Sequence, residues 1–522
     1  MFLMNAQRIH NPILPGFHPD PSICRVGDDY YIATSTFEWF PGVSIHHSRD
    51  LVNWRLLTHA LSDTHLLDLR GVPSSGGVWA PALSFHEGLF YLCYTIVHQH
   101  ESATKDTPNY LITAPDIHGP WSDPLFINSS GFDPSLFHDD DGKKYWLNMV
   151  WDHRSCRHPF HGINLQEFDP QKKELIGKPE IIFTGSSIRL TEGPHLYKRK
   201  GWYYLLTAEG GTEYDHAVTM ARSRKLHGPY EVHPKNPILT SSGKPDLLLQ
   251  KAGHASLVET ASGEWYMPHL CARPLPGTKY CNLGRETAIQ KVAWKDDEWL
   301  YLEGEGNSPS ETVTPPMLPP CPWDETPDRL PFDSIHYMTP RLPSKCVVRQ
   351  PEKLQLYGAE SLESCFEQAL VARRLTHQRL VATTKMTFSP QSFQQMAGLV
   401  AYYNNYLFHY MYLSWEEGKG RCLHIHSCDD GVSSFPLGDD VPVVPDGAIY
   451  LRATFSDQEL QFSWSGDGIK FYDLPVTLDS SILSDDHGKH WGFTGTFVGV
   501  CCQDLSGQHL MAEFTFLEMQ SQ

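Results

Sequence analysis

No stretch of this 522-residue chain approaches the roughly 18 consecutive apolar residues that a membrane-spanning helix needs. The N-terminal apolar run, Met-Phe-Leu-Met, is about four residues against the roughly 7–15 of a signal-peptide core, so the expected location is cytoplasmic. Basic residues are in the minority, 42 Lys and Arg against 61 Asp and Glu. The net charge of −19 repels phosphates and argues against a nucleic-acid or anionic-membrane partner. The 12 cysteines form no CxxC and no regular spacing, which fits reduced thiols and not a disulfide scaffold. No Gly-rich phosphate loop or GxSxG elbow occurs in a supporting context. Strong helical periodicity is missing too. Aromatic residues, by contrast, are abundant at 12%.

What the chain does have is a repeat. Asp20-Pro21-Ser-Ile leads to Tyr30-Tyr31, Ala80-Pro81-Ala-Leu to Phe90-Tyr91, and Asp133-Pro134-Ser-Leu to Tyr145-Trp146. Glu192-Gly193-Pro194-His-Leu leads to Tyr203-Tyr204, and His254-Ala255-Ser-Leu to Trp265-Tyr266. The Pro or Pro-equivalent positions 21, 81, 134, 194 and 255 are spaced by 60, 53, 60 and 61 residues. Such a period suits a four-stranded blade with generous loops, so an all-β, five-bladed β-propeller is expected. Turn residues such as Gly27-Asp28-Asp29, Lys200-Gly201 and Ser262-Gly263 sit between β-rich runs, as in antiparallel hairpins.

The repeats place the propeller at 1–308. Ten prolines between 309 and 343 mark a linker that no sheet or helix interior would tolerate. From 344 to 522 non-repeating strands follow, expected at 369–375, 380–388, 398–415, 448–464, 491–504 and 511–519, and they read as a β-sandwich.

Equivalent positions of a propeller converge on its central axis. Asp20, Asp133 and Glu192 stand at or one before the residue preceding Pro in three repeats. Asp before Pro is also a common turn starter, but three acids in step across a closed repeat favour a site. Hydrolysis of a glycosidic bond needs an acid on the leaving oxygen and a base or nucleophile on the other face, with separated pKa values. His254 holds the same position in the fifth repeat, where holding a metal or water and acting as a hydrogen-bonded core histidine both stay open. Arg285 is a candidate for fixing sugar hydroxyls or a carboxylate through its planar fork. Phe37, Trp39 and Trp79 offer apolar walls for a sugar ring.

Two motifs are set aside. Cys422, His424, His426 and Cys428 share one strand face with neighbours roughly 6.6–6.8 Å apart, too spread for one tetrahedral zinc; a solvated polar face is expected instead. Asp139-Asp140-Asp141-Gly142 lacks the spacing and terminal Glu of a calcium loop and reads as a hairpin turn.

At these residues the chain resembles glycoside hydrolase family 43, in particular its two-domain β-xylosidases. The likeness is carried by Asn11–Ser22, Ser35–Gly42, Gly77–Ala82, Phe132–Phe137, Thr191–Tyr197, Gly253–Thr260, Leu283–Thr287 and Gly495–Gly499. It implies a propeller with a concanavalin A-like jelly roll and an inverting, exo-acting hydrolase that releases xylose from the non-reducing ends of β-1,4-xylo-oligosaccharides. α-L-Arabinofuranosidase activity and a non-catalytic glycan-binding propeller are the alternatives. By resemblance Asp20 is the general base, Glu192 the general acid, and Asp133 the residue that raises and orients the acid. Phe37, Trp79, Thr212 and Arg285 line the sugar pocket. Phe497, with Phe493 as its substitute, closes that pocket from the sandwich. A divalent cation such as calcium near His254, held directly or through water, and a homo-oligomer, dimer or tetramer, are further implications. Inversion places the Asp20 and Glu192 carboxyls about 6.5–9.5 Å apart.

Overall fold

The computed structural model describes residues 8–342 and 345–522. The N-terminal apolar run and the linker–sandwich boundary at 343/344 lie outside the described residues. Regular structure among the described residues is strand throughout, apart from one 3-10 turn at Ser480–Ile482. No helix is long and apolar enough to cross a membrane.

Each repeat folds into one antiparallel sheet of four strands in sequence order, and two of the five carry an extra short strand. The innermost strands are Ser22–Val26, Gly77–His86, Ser135–His138, Glu192–Arg199 and Gln250–Ala255. Neighbouring sheets pack in turn, and Val258–Glu259 of the fifth packs on Ser22–Val26 of the first, which closes the ring.

The motif serine explains how the ring is stitched. Ser22 Oγ accepts from the Leu83 N–H of the second sheet (2.9 Å), and Ser135 Oγ donates to the Pro194 carbonyl of the fourth (2.6 Å). Ser256 Oγ donates to Pro21 O (2.8 Å) and accepts from Ile23 N–H (3.0 Å), joining last sheet to first. One residue type at one register position therefore satisfies backbone groups that closure would otherwise bury unpaired.

The segment after the propeller hugs both domains. Thr312–Val313 pairs with Ile9–His10, and Thr339–Pro340 pairs with Trp39–Phe40. Arg341 is fully buried, its Nε donating to Val72 O at 2.8 Å.

The sandwich has a seven-stranded and a six-stranded antiparallel sheet. Leu451, Phe455, Met411 and Val500 fill the space between them. The other face of the six-stranded sheet packs on the propeller, where Tyr402, Phe408, Tyr410 and Phe497 join one apolar cluster with Phe17, Phe37, Trp39 and Trp79. Buried on both faces, its strands Gln395–Asn404 and Leu407–Glu416 are almost continuously buried.

That packing corrects several expectations. The face of Gly420–Asp429 is not solvated: Cys422 and Cys428 are buried, His424 stacks on Tyr412, and His426 lies between Phe408 and Phe435. The expected strands 398–415 and 448–464 are hairpins, broken at Asn405-Tyr406 and at Asp457, whose φ of +57° turns the chain. The strand expected from 491 begins at Phe497, because residues 484–493 form a loop reaching the propeller. Asp139–Gly142 is a hairpin turn, closed by Gly142 N–H to Asp139 O at 3.1 Å.

Candidate active site

The residue preceding the motif Pro, or its Ala equivalent, has left-handed backbone in four sheets: Asp20 (φ +56°), Asp133 (+55°), Gly193 (+57°) and His254 (+38°). Asp and His are among the side chains that tolerate this region best, and glycine adopts it freely. In the fourth sheet glycine takes the position because a Cβ on Gly193 would come within 2.8 Å of His254 Nε2. The acid therefore moves one residue upstream, to Glu192. That accounts for the offset in the repeat.

Asp20, Asp133, Glu192 and His254 line one cavity of about 730 Å³, with Phe37, Trp79, Thr212 and Arg285. The three carboxylates are only 5%, 7% and 6% exposed. Asp20 Oδ2 accepts from Ser35 Oγ at 2.6 Å, and its Oδ1 lies 3.3 Å from His254 Nδ1 and 3.7 Å from Arg285 Nη1. Asp133 Oδ2 accepts from the Gly193 N–H at 3.0 Å, tying it to the peptide beside Glu192.

These surroundings split the protonation of the carboxyls. Burial works to raise Asp20, but the Arg285 charge and the His254 hydrogen bond outweigh it and hold Asp20 well below the usual carboxylate range. Glu192 is raised by burial first and by the negative charge of Asp133 second. Asp133 is raised by burial, with His254 opposing and Asp20 adding to the rise. Burial disfavours a charged His254, yet its hydrogen bond to Asp20 and the field of the carboxylates keep its pKa above the ordinary value. One buried carboxylate is held ionised and another is kept protonated, an arrangement suited to a base and an acid acting together.

The wall opposite is aromatic. Trp79 lies edge-on to Phe493 (centroids 5.4 Å) and to Phe132 (5.3 Å), and Phe37 is 6.0 Å from Phe493. Phe493 comes from the sandwich: its N–H donates to Ser75 Oγ (3.0 Å), and its carbonyl accepts from Arg285 Nη2 (2.9 Å). This corrects the expectation for Phe497, which is fully buried and stacked on Trp39 at 3.6 Å. Strand alternation and tight packing on Trp39 commit Phe497 to the interdomain core, and the preceding loop is what reaches the cavity.

The sequence reading missed Lys105, Trp151, Lys251, Asp485, Asp486 and Trp491, all lining this cavity. Lys251 Nζ reaches Asp486 Oδ1 at 2.8 Å and Asp485 Oδ2 at 3.7 Å, latching the loop onto the propeller. Lys105 stands over Trp151 at 4.5 Å and Trp491 at 5.2 Å. These partners lie up to hundreds of residues apart, and no local pattern announces them.

A divalent cation fits poorly as a direct ligand here. Among the described residues no group of three or more His, Cys, Asp or Glu side chains is arranged to hold an ion. His254 Nδ1 is turned to Asp20, and Arg285 and His254 already place positive charge on that carboxylate.

Residues 9–300 match Glycosyl hydrolases family 43, and residues 331–520 match the Beta xylosidase C-terminal Concanavalin A-like domain. The chain belongs to glycosyl hydrolase family 43. The crystal structure of a xylan β-1,4-xylosidase from Bacillus halodurans superposes with a TM-score of 0.96 at 51% identity, covering 98% of this chain and 100% of that one. A xylosidase/arabinosidase 43B of Humicola insolens is 50% identical over 98% of this chain and 97% of its own length. A xylan 1,3-β-xylosidase of a Vibrio species is 45% identical over 98% of both chains. Family 43 enzymes are glycoside hydrolases that act by inversion, and this chain joins the family's propeller to a concanavalin A-like sandwich.

Proposed function

We propose that this family 43 chain is an exo-acting β-xylosidase that removes single xylose units from the non-reducing ends of xylo-oligosaccharides. The observation that carries the reading is the convergence of Asp20, Asp133 and Glu192, all buried, on one cavity walled by Phe37, Trp79 and Phe493. Glu192, kept protonated, donates its proton to the glycosidic oxygen as that bond breaks. Asp20, kept ionised, takes a proton from the water whose oxygen bonds to the anomeric carbon from the opposite face, so the configuration inverts. Asp133 is the positioning residue: its charge raises Glu192, and its bond to Gly193 N–H holds the adjoining peptide. Arg285 and His254 keep Asp20 charged and aimed. The aromatic wall, closed by Phe493, supports action on a terminal sugar, whose apolar ring face stacks there.

The test is hydrolysis of p-nitrophenyl β-D-xylopyranoside beside its α-L-arabinofuranoside counterpart, with proton NMR following the first-formed sugar. Faster release from the xyloside with α-xylose appearing first is expected. β-Xylose first would refute inversion, and preference for the arabinoside would refute the substrate assignment. Glu192→Ala should abolish hydrolysis of xylobiose while sugar binding survives. A β-1,3- and a β-1,4-linked xylobiose, compared directly, decide the linkage, with β-1,4 expected.

A further inference from the structure

A second cavity, of about 380 Å³, opens at the seam between propeller and sandwich. His18 and His46 of the propeller, His336 of the connecting segment and Arg373, Arg374 and His377 of the sandwich all line it. His18 and His46 are 8% and 4% exposed, with ring centroids 4.5 Å apart, edge to face. Neither ring has a hydrogen-bond partner among the described residues, and Nδ1 of both is sealed and unpaired. His59 belongs to the same group: it pairs across from Ser44, on the face of Gly42–Ser48 that also carries His46, and its buried Nε2 is likewise unpaired.

Arg374 is the centre of the cluster. Its Nε donates to Phe17 O (2.7 Å) and its Nη2 to Ser44 Oγ (3.0 Å). It is 7% exposed, and among the described residues no carboxylate offsets its burial. Glu325 and Asp328 stand at the mouth on an exposed stretch, and neither is ion-paired to the cluster. A buried guanidinium without a counter-charge is costly, and rings with unmet nitrogens beside it add to the imbalance. Burial first, then the Arg374 charge, pushes His18 and His46 well below the ordinary histidine value.

We propose that this seam binds a small tetrahedral oxyanion of the phosphate class, held by Arg374 together with His18, His46 and His336. Arginine's planar fork and imidazole N–H groups are donors such an ion takes, and the site draws them from both domains and the connecting segment. An occupant would pin the sandwich to the propeller. It would also bear on the stretch Phe17–Asp20, whose first carbonyl Arg374 holds and whose last residue lies in the active-site cavity.

The experiment is isothermal titration of the full chain with inorganic phosphate at constant ionic strength, chloride being the reference salt. Saturable binding of one ion per chain is expected, weakened about tenfold or more by His46→Gln and by His336→Gln, as for loss of one charge-assisted hydrogen bond. Both variants should hydrolyse the xyloside normally in phosphate-free buffer. His336 is half-buried, so its variant carries the test should His46→Gln misfold. Heats that do not saturate, binding indifferent to both substitutions, or displacement of phosphate by saturating xylose would each overturn the proposal. Stabilisation by phosphate that persists in the variants would mean general salt exclusion and overturn it likewise.

Discussion

Replacing Asp133 with asparagine removes one negative charge from the active-site cavity and leaves its shape. The amide oxygen can still accept the Gly193 N–H now bound by Asp133 Oδ2 at 3.0 Å. Glu192 is pushed from its ordinary 4.5 to about 8, by burial first and by Asp133 second. A nearby like charge raises a carboxyl by about 1–2 pKa units. Burial, the larger cause, persists in the variant, so the acid falls but stays above its ordinary value. A lower acid pKa means the needed proton is lost earlier as pH rises, so the alkaline limb of kcat/KM moves to lower pH. At pH 7 a smaller fraction of the acid is then protonated, a rate loss of about two- to tenfold that disappears near pH 5. Asp133 itself is raised to about 6, so in the parent enzyme the limb belongs to the pair, whereas in the variant it reports Glu192 alone. The assay is kcat/KM for p-nitrophenyl β-D-xylopyranoside from pH 4.5 to 9. An alkaline limb in the same place in both proteins would refute the electrostatic role given to Asp133.

Phe493→Ala removes the sandwich's contribution to the aromatic wall and should raise KM about tenfold with little change in thermal midpoint, as expected from losing ~1.5 kcal/mol of ring contact. Phe497→Ala should do the reverse: stability falls by about 3–5 kcal/mol through the hole left against Trp39, while KM of the folded protein holds. Paired calorimetry and kinetics check both, and a raised KM in Phe497→Ala alone would restore that residue to the pocket. Glu192→Gln should make stability less dependent on pH. The folded-state pKa of Glu192 lies above its unfolded value, so its contribution favours folding at low pH and is lost as pH rises from about 4.5 through about 8. The neutral amide avoids that loss, so the variant's melting temperature should exceed the parent's at pH 8.5, by about 4 °C at most, and match it near pH 4.

The repeat was legible because one physical demand recurs in it. Four of the five repeats carry a residue tolerating left-handed backbone, followed by Pro or Ala and, in three sheets, by a serine that reaches the neighbouring sheet. Local rules of that kind leave a mark at fixed spacing, so Asp20, Asp133, Glu192 and His254 could be chosen from the chain alone. Chain pattern also marked the change of architecture after the proline-rich stretch. Phe493 and Phe497 show where such reasoning stops. Both are aromatic, four residues apart and close to a recognisable motif, and nothing local distinguishes the one that stacks in the core from the one that reaches the sugar cavity.

What the sequence determined by itself was the strand-rich repeat, its five sheets and the acids that meet in one cavity, since these follow from periodicity and backbone preference. Only the tertiary structure decided which sandwich loop closes the cavity, that Lys251 meets Asp485 and Asp486, and that His18, His46 and Arg374 gather at the seam. Those groups are brought together by the docking of two domains. The energy that holds them is non-local burial, which places no constraint on neighbours in the chain and so leaves no period to read.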